Sequence, residues 1–457
     1  MLQSRTQPHS KLICNLLLIF LLILSAGIYL YGSIWHAENV NLDMQCANQS
    51  AYMHFTEKMH VSKYAYLWEG SRMPLYPFIQ SLFYKDGMSN QAFFNQGKYI
   101  SIILSLFILC CLSLLFKKKF GLLYASALIL ITAFSVFIFK SGYFHCELLF
   151  YFLSFLSFLA MIRIFIRPSP VEGAVAGVLF AVTYFTKASV LAGVVIFFIL
   201  LMVKTAYFIY KTLFGKLNVR VYSSGARSCL FCGISAALVF ILAVSPYIIQ
   251  NKKIFGHYFY NMNTNSFIWH DSWKKAKAWS LANGDIKGWP HMPRELIPTF
   301  STYIKKHSPE QMADRLKRGI FSVIRQCSYT RGYFKYLSVS MIFFLYLILA
   351  SHKVGYFLRK IRRNVFLALF ILSYFSMYFL LYAWYTPIAR PERFMLSLFL
   401  PFIFILSLLI KKYSRGVFIV FKDFRMSALN AYTVLILSAI IIDIPMVIKS
   451  VSMITSQ

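Results

Sequence analysis

Long apolar stretches alternate with short basic connectors along this chain, and that alternation predicts helices that cross a membrane. A helix rises about 1.5 Å per residue and the hydrocarbon core is about 30 Å thick, so a crossing needs roughly 17–25 apolar residues. About eleven stretches qualify under that criterion: 12–34, 97–116, 120–139, 147–166, 171–186, 188–210, 229–250, 336–352, 364–384, 394–410 and 427–448. The first, 12–34, is longer than a secretory core and reads as a retained anchor. Two segments break the rhythm. Residues 41–60, within the segment 35–96, mix apolar Leu42, Cys46, Met53, Phe55 and Met59 with polar Asn48, Gln49, Glu57 and Lys58, the pattern of a helix lying at the interface. Pro74 and Pro77 then interrupt regular structure, each lacking an amide donor and restraining its predecessor. The segment 251–335 carries Trp269, Trp273, Trp279 and Trp289. Tryptophan prefers the headgroup zone, so this segment reads as an interfacial cap, as an aromatic wall over a ligand, or as both.

The fold class is therefore all-α integral membrane, one polytopic bundle over 1–457 with juxtamembrane helices in the first outer loop. Composition agrees: 59% of the residues are hydrophobic, against about 45–50% in soluble domains. The net charge of +32 does not indicate nucleic acid, because the basic residues fall in alternate short loops. Lys117, Lys118 and Lys119, then Arg163 and Arg167, then Lys204 to Arg227, then Lys353 to Arg363, then Lys411 to Arg425 mark one side. Positive-inside bias places the amino terminus inside and the carboxyl terminus outside. Carboxylates are scarce, 15 against 47 Lys and Arg, and on this topology only Glu172 and Asp423 lie inside, with Asp443 in the last span. Chemistry is thus expected to face outward. Of the eight cysteines, Cys46, Cys146 and Cys327 face outward and allow one disulfide whose pairing stays open. Cys229-x-x-Cys232 has no second pair and reads as packing.

Several short motifs fall in a fixed order relative to the spans. Asp43 stands in the first outer segment with Tyr52 downstream, and Arg72-Met73-Pro74-Leu75-Tyr76-Pro77 precedes the second span. Glu147 opens the fourth, Gly177-x9-Lys187 closes the fifth, Asn251-x4-Gly256 follows the seventh, and Arg393-Phe394 comes before Pro401. In this order the chain resembles, to about residue 410, the GT-C superfamily of integral-membrane glycosyltransferases. The bacterial branch with the lipid A aminoarabinose transferase and the protein O-mannosyltransferases is the most similar. It departs from the pattern in having Met44 after Asp43 where many relatives carry a second acid, Lys187 where arginine is commoner, and Arg393-Phe394 where Arg-Tyr is usual.

The resemblance implies transfer of a sugar, with inversion, from a polyprenyl-phosphate carrier to a lipid, glycan or protein acceptor. It places the site on the outer face of a cell membrane, the inner membrane of a bacterium. The acceptor hydroxyl must lose a proton as it attacks, so a carboxylate is needed, with Asp43 as the expected base and Glu147 as the second catalytic carboxylate. The leaving phosphate gains charge, so fixed cations lower the barrier; Arg72, Lys187, Arg390 and Arg393 are the expected donor-phosphate ligands. Lys187 and Arg393 also fit a second role, snorkelling from helix ends. Tyr76 and His270 are expected to contact sugar or acceptor, and His145 with Glu147 is a candidate pair for a divalent metal. Two rivals stand beside this reading. A polytopic transporter or lipid-linked glycan flippase would place broken helices and ionisable groups near the midplane. An outer-face glycan polymerase or ligase would lean on basic residues of the long loop more than on Asp43.

Overall fold

The apolar stretches fold as helices whose ends are set by local chemistry. The computed structural model describes residues 8–215, 219–282, 297–329, 333–389, 395–421 and 424–453. Helix α1 (Pro8–Asn39) leads into the first outer segment, which forms α2 (Gln49–Val61) and α3 (Leu75–Ser81). Helix α4 (Asn90–Phe120) starts where the Ser89 hydroxyl accepts the Ala92 amide and stops at Gly121, whose φ of 87° few other residues adopt. Next come α5 (Leu122–Thr132), a π turn at Ala133–Phe137, α6 (Ile138–Ser141), α7 (Glu147–Ile166), α8 (Pro170–Thr186), α9 (Val190–Phe214) and α10 (Val219–Phe255). Four helices follow beyond the end of α10: α11 (Met262–Asn265), α12 (Trp273–Ala282), α13 (Phe300–Lys306) and α14 (Pro309–Tyr329). The chain finishes with α15 (Tyr333–Ala350), α16 (Val354–Arg363), α17 (Val365–Tyr385), α18 (Phe399–Tyr413), an antiparallel hairpin of β1 (Phe418–Phe421) and β2 (Phe424–Ser427), and α19 (Ala428–Met453).

Among the described residues nine helices are long and apolar enough to cross a membrane, and ten if α15 and α16 count together. The protein is a multi-pass membrane protein. Two of the eleven stretches expected from sequence do not reach that length alone. Residues 171–186 form the shorter apolar helix α8, and 336–352 ends at a 107° bend between α15 and α16. At that bend His352 takes a left-handed φ of 49°, and the strongly basic α16 beyond it buries none of its side chains. The centre of the bundle is the stretch Leu122–Ser141, 83% buried along its apolar window, whereas the window in α1 is 28% buried.

Residues 171–210 are two antiparallel helices and not one long one. Along α8, Gly173 lies against Cys232 and Gly177 against Ala236, so α8 runs with α10; Gly225 lies against Phe208 and Gly233 against Leu201, so α9 runs against it. The Gly173-x3-Gly177 spacing makes the first of these contacts. A Cβ at 173 would come within 2.2 Å of the Cys232 carbonyl oxygen, and one at 177 within 2.6 Å of that of Ala236. Small residues at this spacing let two membrane helices touch backbone to backbone.

One helix starts later than its apolar pattern suggested. The interfacial helix begins at Gln49, and residues 41–45 form a loop, so Asp43 stands on a turn and not on a helix. The Asp43 carboxylate accepts the Gln45 amide at 2.8 Å, a local bond that competes with helix formation. The loop is pinned from both sides. Asn41 and Gln49, both fully buried, exchange amide hydrogen bonds at 2.9 and 2.8 Å. Asn41 also donates to the Gly142 carbonyl, and Gln49 accepts the Phe144 amide. Cys46 and Cys146 are free thiols; the Cys327 side chain lies outside the described ones.

Candidate functional site

Five segments distant in sequence meet at one end of the bundle: the first outer loop, the start of α7, the α8–α9 link, the segment after α10 and the end of α17. They enclose a cavity of about 140 Å³ lined by Asn48, Tyr52, Arg72, His145, Glu147, Lys187, Asn261, Asn263, Tyr382 and Tyr385, among others. The helix directions explain the convergence. The first residue of α7, the last turn of α8, the first turn of α9 and the exit of α10 all lie at this end, and the basic turns of α4, α7 and α16 do not.

Glu147 and Lys187 face each other inside it. The lysine Nζ lies 2.9 Å from both carboxylate oxygens, with side chains 20% and 8% exposed for Lys187 and Glu147. Glu147 is the first residue of α7, where free amides and the helix dipole favour an anion. Lys187 caps α8 in extended conformation and lies over the Phe150 ring. Among the described residues, Glu147 is the only carboxylate that lines the cavity.

Arg72 is held differently. Its backbone amide donates to Glu69, 8% exposed, at 2.7 Å, and the Ser71 amide and hydroxyl donate to the same carboxylate. Gly70, at φ 82°, makes the turn that permits this. The turn is clamped to the segment after α10: the Met262 amide donates to the Gly70 carbonyl, and the Asn261 and Asn263 side chains donate to that of Ser71. The guanidinium meanwhile stacks over Tyr52 at 5.3 Å and, among the described residues, donates only to the Ser71 carbonyl. Among the described residues it pairs with no carboxylate. The loop therefore fixes the Arg72 backbone and presents a half-buried, uncompensated cation to the cavity.

Tyr52 contributes a hydrogen-bond donor. Burial pushes its phenol well above the ordinary value, the neighbouring Cys146 thiol adds to this and Arg72 opposes it, so the ring stays protonated. Its hydroxyl lies 3.1 Å from the Cys146 sulfur.

The other residues singled out from sequence lie elsewhere. Asp43 is exposed and does not line the cavity, although Asn48, five residues on, does. Tyr76 is fully buried one layer away, edge-on to Tyr52, with its hydroxyl engaged by Ser101 and Gln80. His270 sits beside Trp279 outside the lining, its imidazole held below the usual range by burial despite Asp271. Arg390, Arg393 and Trp289 lie outside the described residues. His145 lines the cavity, stacked on Tyr143, and its Nδ1 accepts the Glu147 amide at 3.4 Å. Among the described residues no three His, Cys, Asp or Glu side chains converge as a metal site. Sequence reasoning missed Asn261, Asn263, Tyr382 and Tyr385. The run Asn261-Met262-Asn263-Thr264-Asn265 was a signal, three amides in five residues between apolar segments. Compared with family models and with curated proteins, the chain gives no match.

Proposed function

We propose that this protein is a GT-C-type glycosyltransferase that moves a sugar from a polyprenyl-phosphate carrier to an acceptor at the outer face of the membrane, in a bacterial inner membrane. The observation that carries this reading is the uncompensated Arg72 guanidinium in a cavity at the membrane boundary, across from the Glu147–Lys187 pair. A planar guanidinium on an aromatic ring suits a phosphate diester, because its fork matches two oxygens at once. Lys187 adds a second cation, and the amides of Asn48, Asn261 and Asn263 suit sugar hydroxyls. Catalysis then consists of stabilising the charge that develops on the leaving phosphate.

Within this proposal the two carboxylates divide the work. Both Glu147 oxygens are engaged by Lys187, so Glu147 positions that cation. Asp43 has one oxygen on the Gln45 amide and stands open to water, which suits a base that meets an acceptor from the aqueous side. The Asn41–Gln49 pair, bonded on to Phe144, ties the Asp43 loop to the segment that enters α7. The test compares surface glycolipids, glycans and glycoproteins by mass spectrometry in cells with and without the chain. Loss of one defined sugar mass from an acceptor supports the reading, and identical profiles contradict it.

A further inference from the structure

A second cavity lies at the opposite end of the bundle and is independent of the proposed reaction. It holds about 400 Å³ and is lined by the start of α8 at Pro170, the end of α9 at Thr212 and one face of α10. Val219 lines it where α10 begins, and beyond it the lining residues along α10 are Arg220, Ser223, Ser224, Arg227, Ser228 and Phe231. These last six positions follow the i, i+3, i+4, i+7 spacing of a single helix face, so the two arginines stand two turns apart on one stripe with hydroxyls between them.

Charge and depth both bear on what this stripe holds. Among the described residues no carboxylate lines the cavity; the nearby Glu172, two residues into α8, is paired with Arg163 at 2.6 Å. Arg227 donates to the Ser223 hydroxyl at 3.3 Å, and Arg220 pairs with no described group. Helix α10 has 37 residues, roughly 55 Å at about 1.5 Å each, while the hydrocarbon core is about 30 Å. Its first turns therefore stand in the headgroup zone. Exposed apolar side chains lie on the same helix segments: Leu213 and Phe214 at the end of α9, and Val221, Leu230 and the lining residue Phe231 on α10.

We propose that this cavity is a binding site for the phosphate headgroup of an anionic phospholipid, with Arg220 and Arg227 on the phosphate, the serine hydroxyls on its oxygens, and an acyl chain along Phe231. A free phosphate shares the anionic chemistry, but the exposed apolar residues on the same segments of α9 and α10 give a reason for the lipid.

The test uses the purified full-length protein in detergent and native mass spectrometry. Phosphatidylglycerol, phosphatidylcholine of the same acyl chains, and inorganic phosphate are titrated separately. Phosphatidylglycerol is expected to bind in preference to phosphatidylcholine. Each basic residue near an anionic headgroup is worth about fivefold, so Arg220→Gln and Arg227→Gln each weaken binding by about that factor, and the pair by about 25-fold. The exposed α16 pair Arg359→Gln and Arg362→Gln serves as the control for diffuse charge and is expected to change binding less than about twofold, well under one such contribution. Equal losses from the two pairs, equal binding of the two lipids, or phosphate binding alone with the same arginine dependence would each overturn the proposal. The single variants keep the test usable should the double variant fail to fold.

Discussion

Lys187 reaches both oxygens of Glu147, joining the residue that caps α8 to the first residue of α7. Neither side chain is more than 20% exposed, so each compensates a charge that the other would leave in a poorly solvated place. Breaking such a pair from one side costs on the order of 3 kcal/mol, and replacing both partners costs much less. Glu147→Gln and Lys187→Met are each expected to lower the unfolding temperature of the purified protein, with the double variant recovering at least half of the loss. Additive losses would show that the two side chains are not coupled.

The α8–α10 contact makes a sharper prediction about packing. In a helix, Gly→Ala is favoured intrinsically by about 1 kcal/mol. At Gly173 that gain meets a backbone oxygen 2.2 Å from the new Cβ, whereas nothing lies within 4 Å at Gly27. Gly173→Ala is expected to reduce the yield of folded, monodisperse protein on size-exclusion chromatography, and Gly27→Ala to leave it unchanged. Equal behaviour of the two would remove the close helix contact.

The antiparallel α8 and α9 fix the parity of the loops, and the bias of basic residues sets the expected sidedness. A reporter active only outside the cytoplasm, fused after Ser280, is expected to work, and the same reporter after Gly225 or Gly355 to stay silent. Activity at Gly225 with silence at Ser280 would turn the cavity end toward the cytoplasm.

Much of this architecture is legible in the sequence, because a bilayer allows few solutions: apolar runs become helices, and basic connectors gather at one end. Glu147 stands out as a scarce carboxylate at the start of an apolar run, Lys187 as a cation at the end of one, and Arg72 as the basic residue before Pro74 and Pro77 in the first outer segment. Their pairing does not. That Lys187 belongs to Glu147 while Arg72 is left uncompensated depends on how α8 lies beside α7 and on Glu69 taking the 71–72 amides, and neither leaves a trace in residue spacing. The turn at Asp43 escapes for a similar reason, since the Asn41–Gln49 amide pair that holds it becomes visible only when the chain is folded.

That pair allows stability and chemistry at Asp43 to be separated. Gln49→Ala leaves the buried Asn41 Oδ1 and the Phe144 amide without their partner, costing about 1–3 kcal/mol, so a fall in unfolding temperature is expected. Asp43→Asn keeps the turn, and general-base assistance is worth about 10²–10⁴-fold. The variant should therefore retain its unfolding temperature and lose transfer by about that factor. Transfer within about threefold of the parent, far below the general-base range, would pass the role of base to Glu147.

The most direct measurement is binding of a polyprenyl phosphate to the purified protein, compared with the same polyprenol lacking phosphate and repeated with Arg72→Ala and Arg72→Lys. A charge-assisted bond is worth about 1.5–3 kcal/mol, so the alanine variant is expected to bind at least about tenfold more weakly. The lysine variant is expected to recover only part of that loss, because a point charge does not grip two oxygens as a planar fork does. Unchanged affinity in Arg72→Ala, or equal affinity for the phosphate and the free alcohol, would contradict a phosphate site in this cavity.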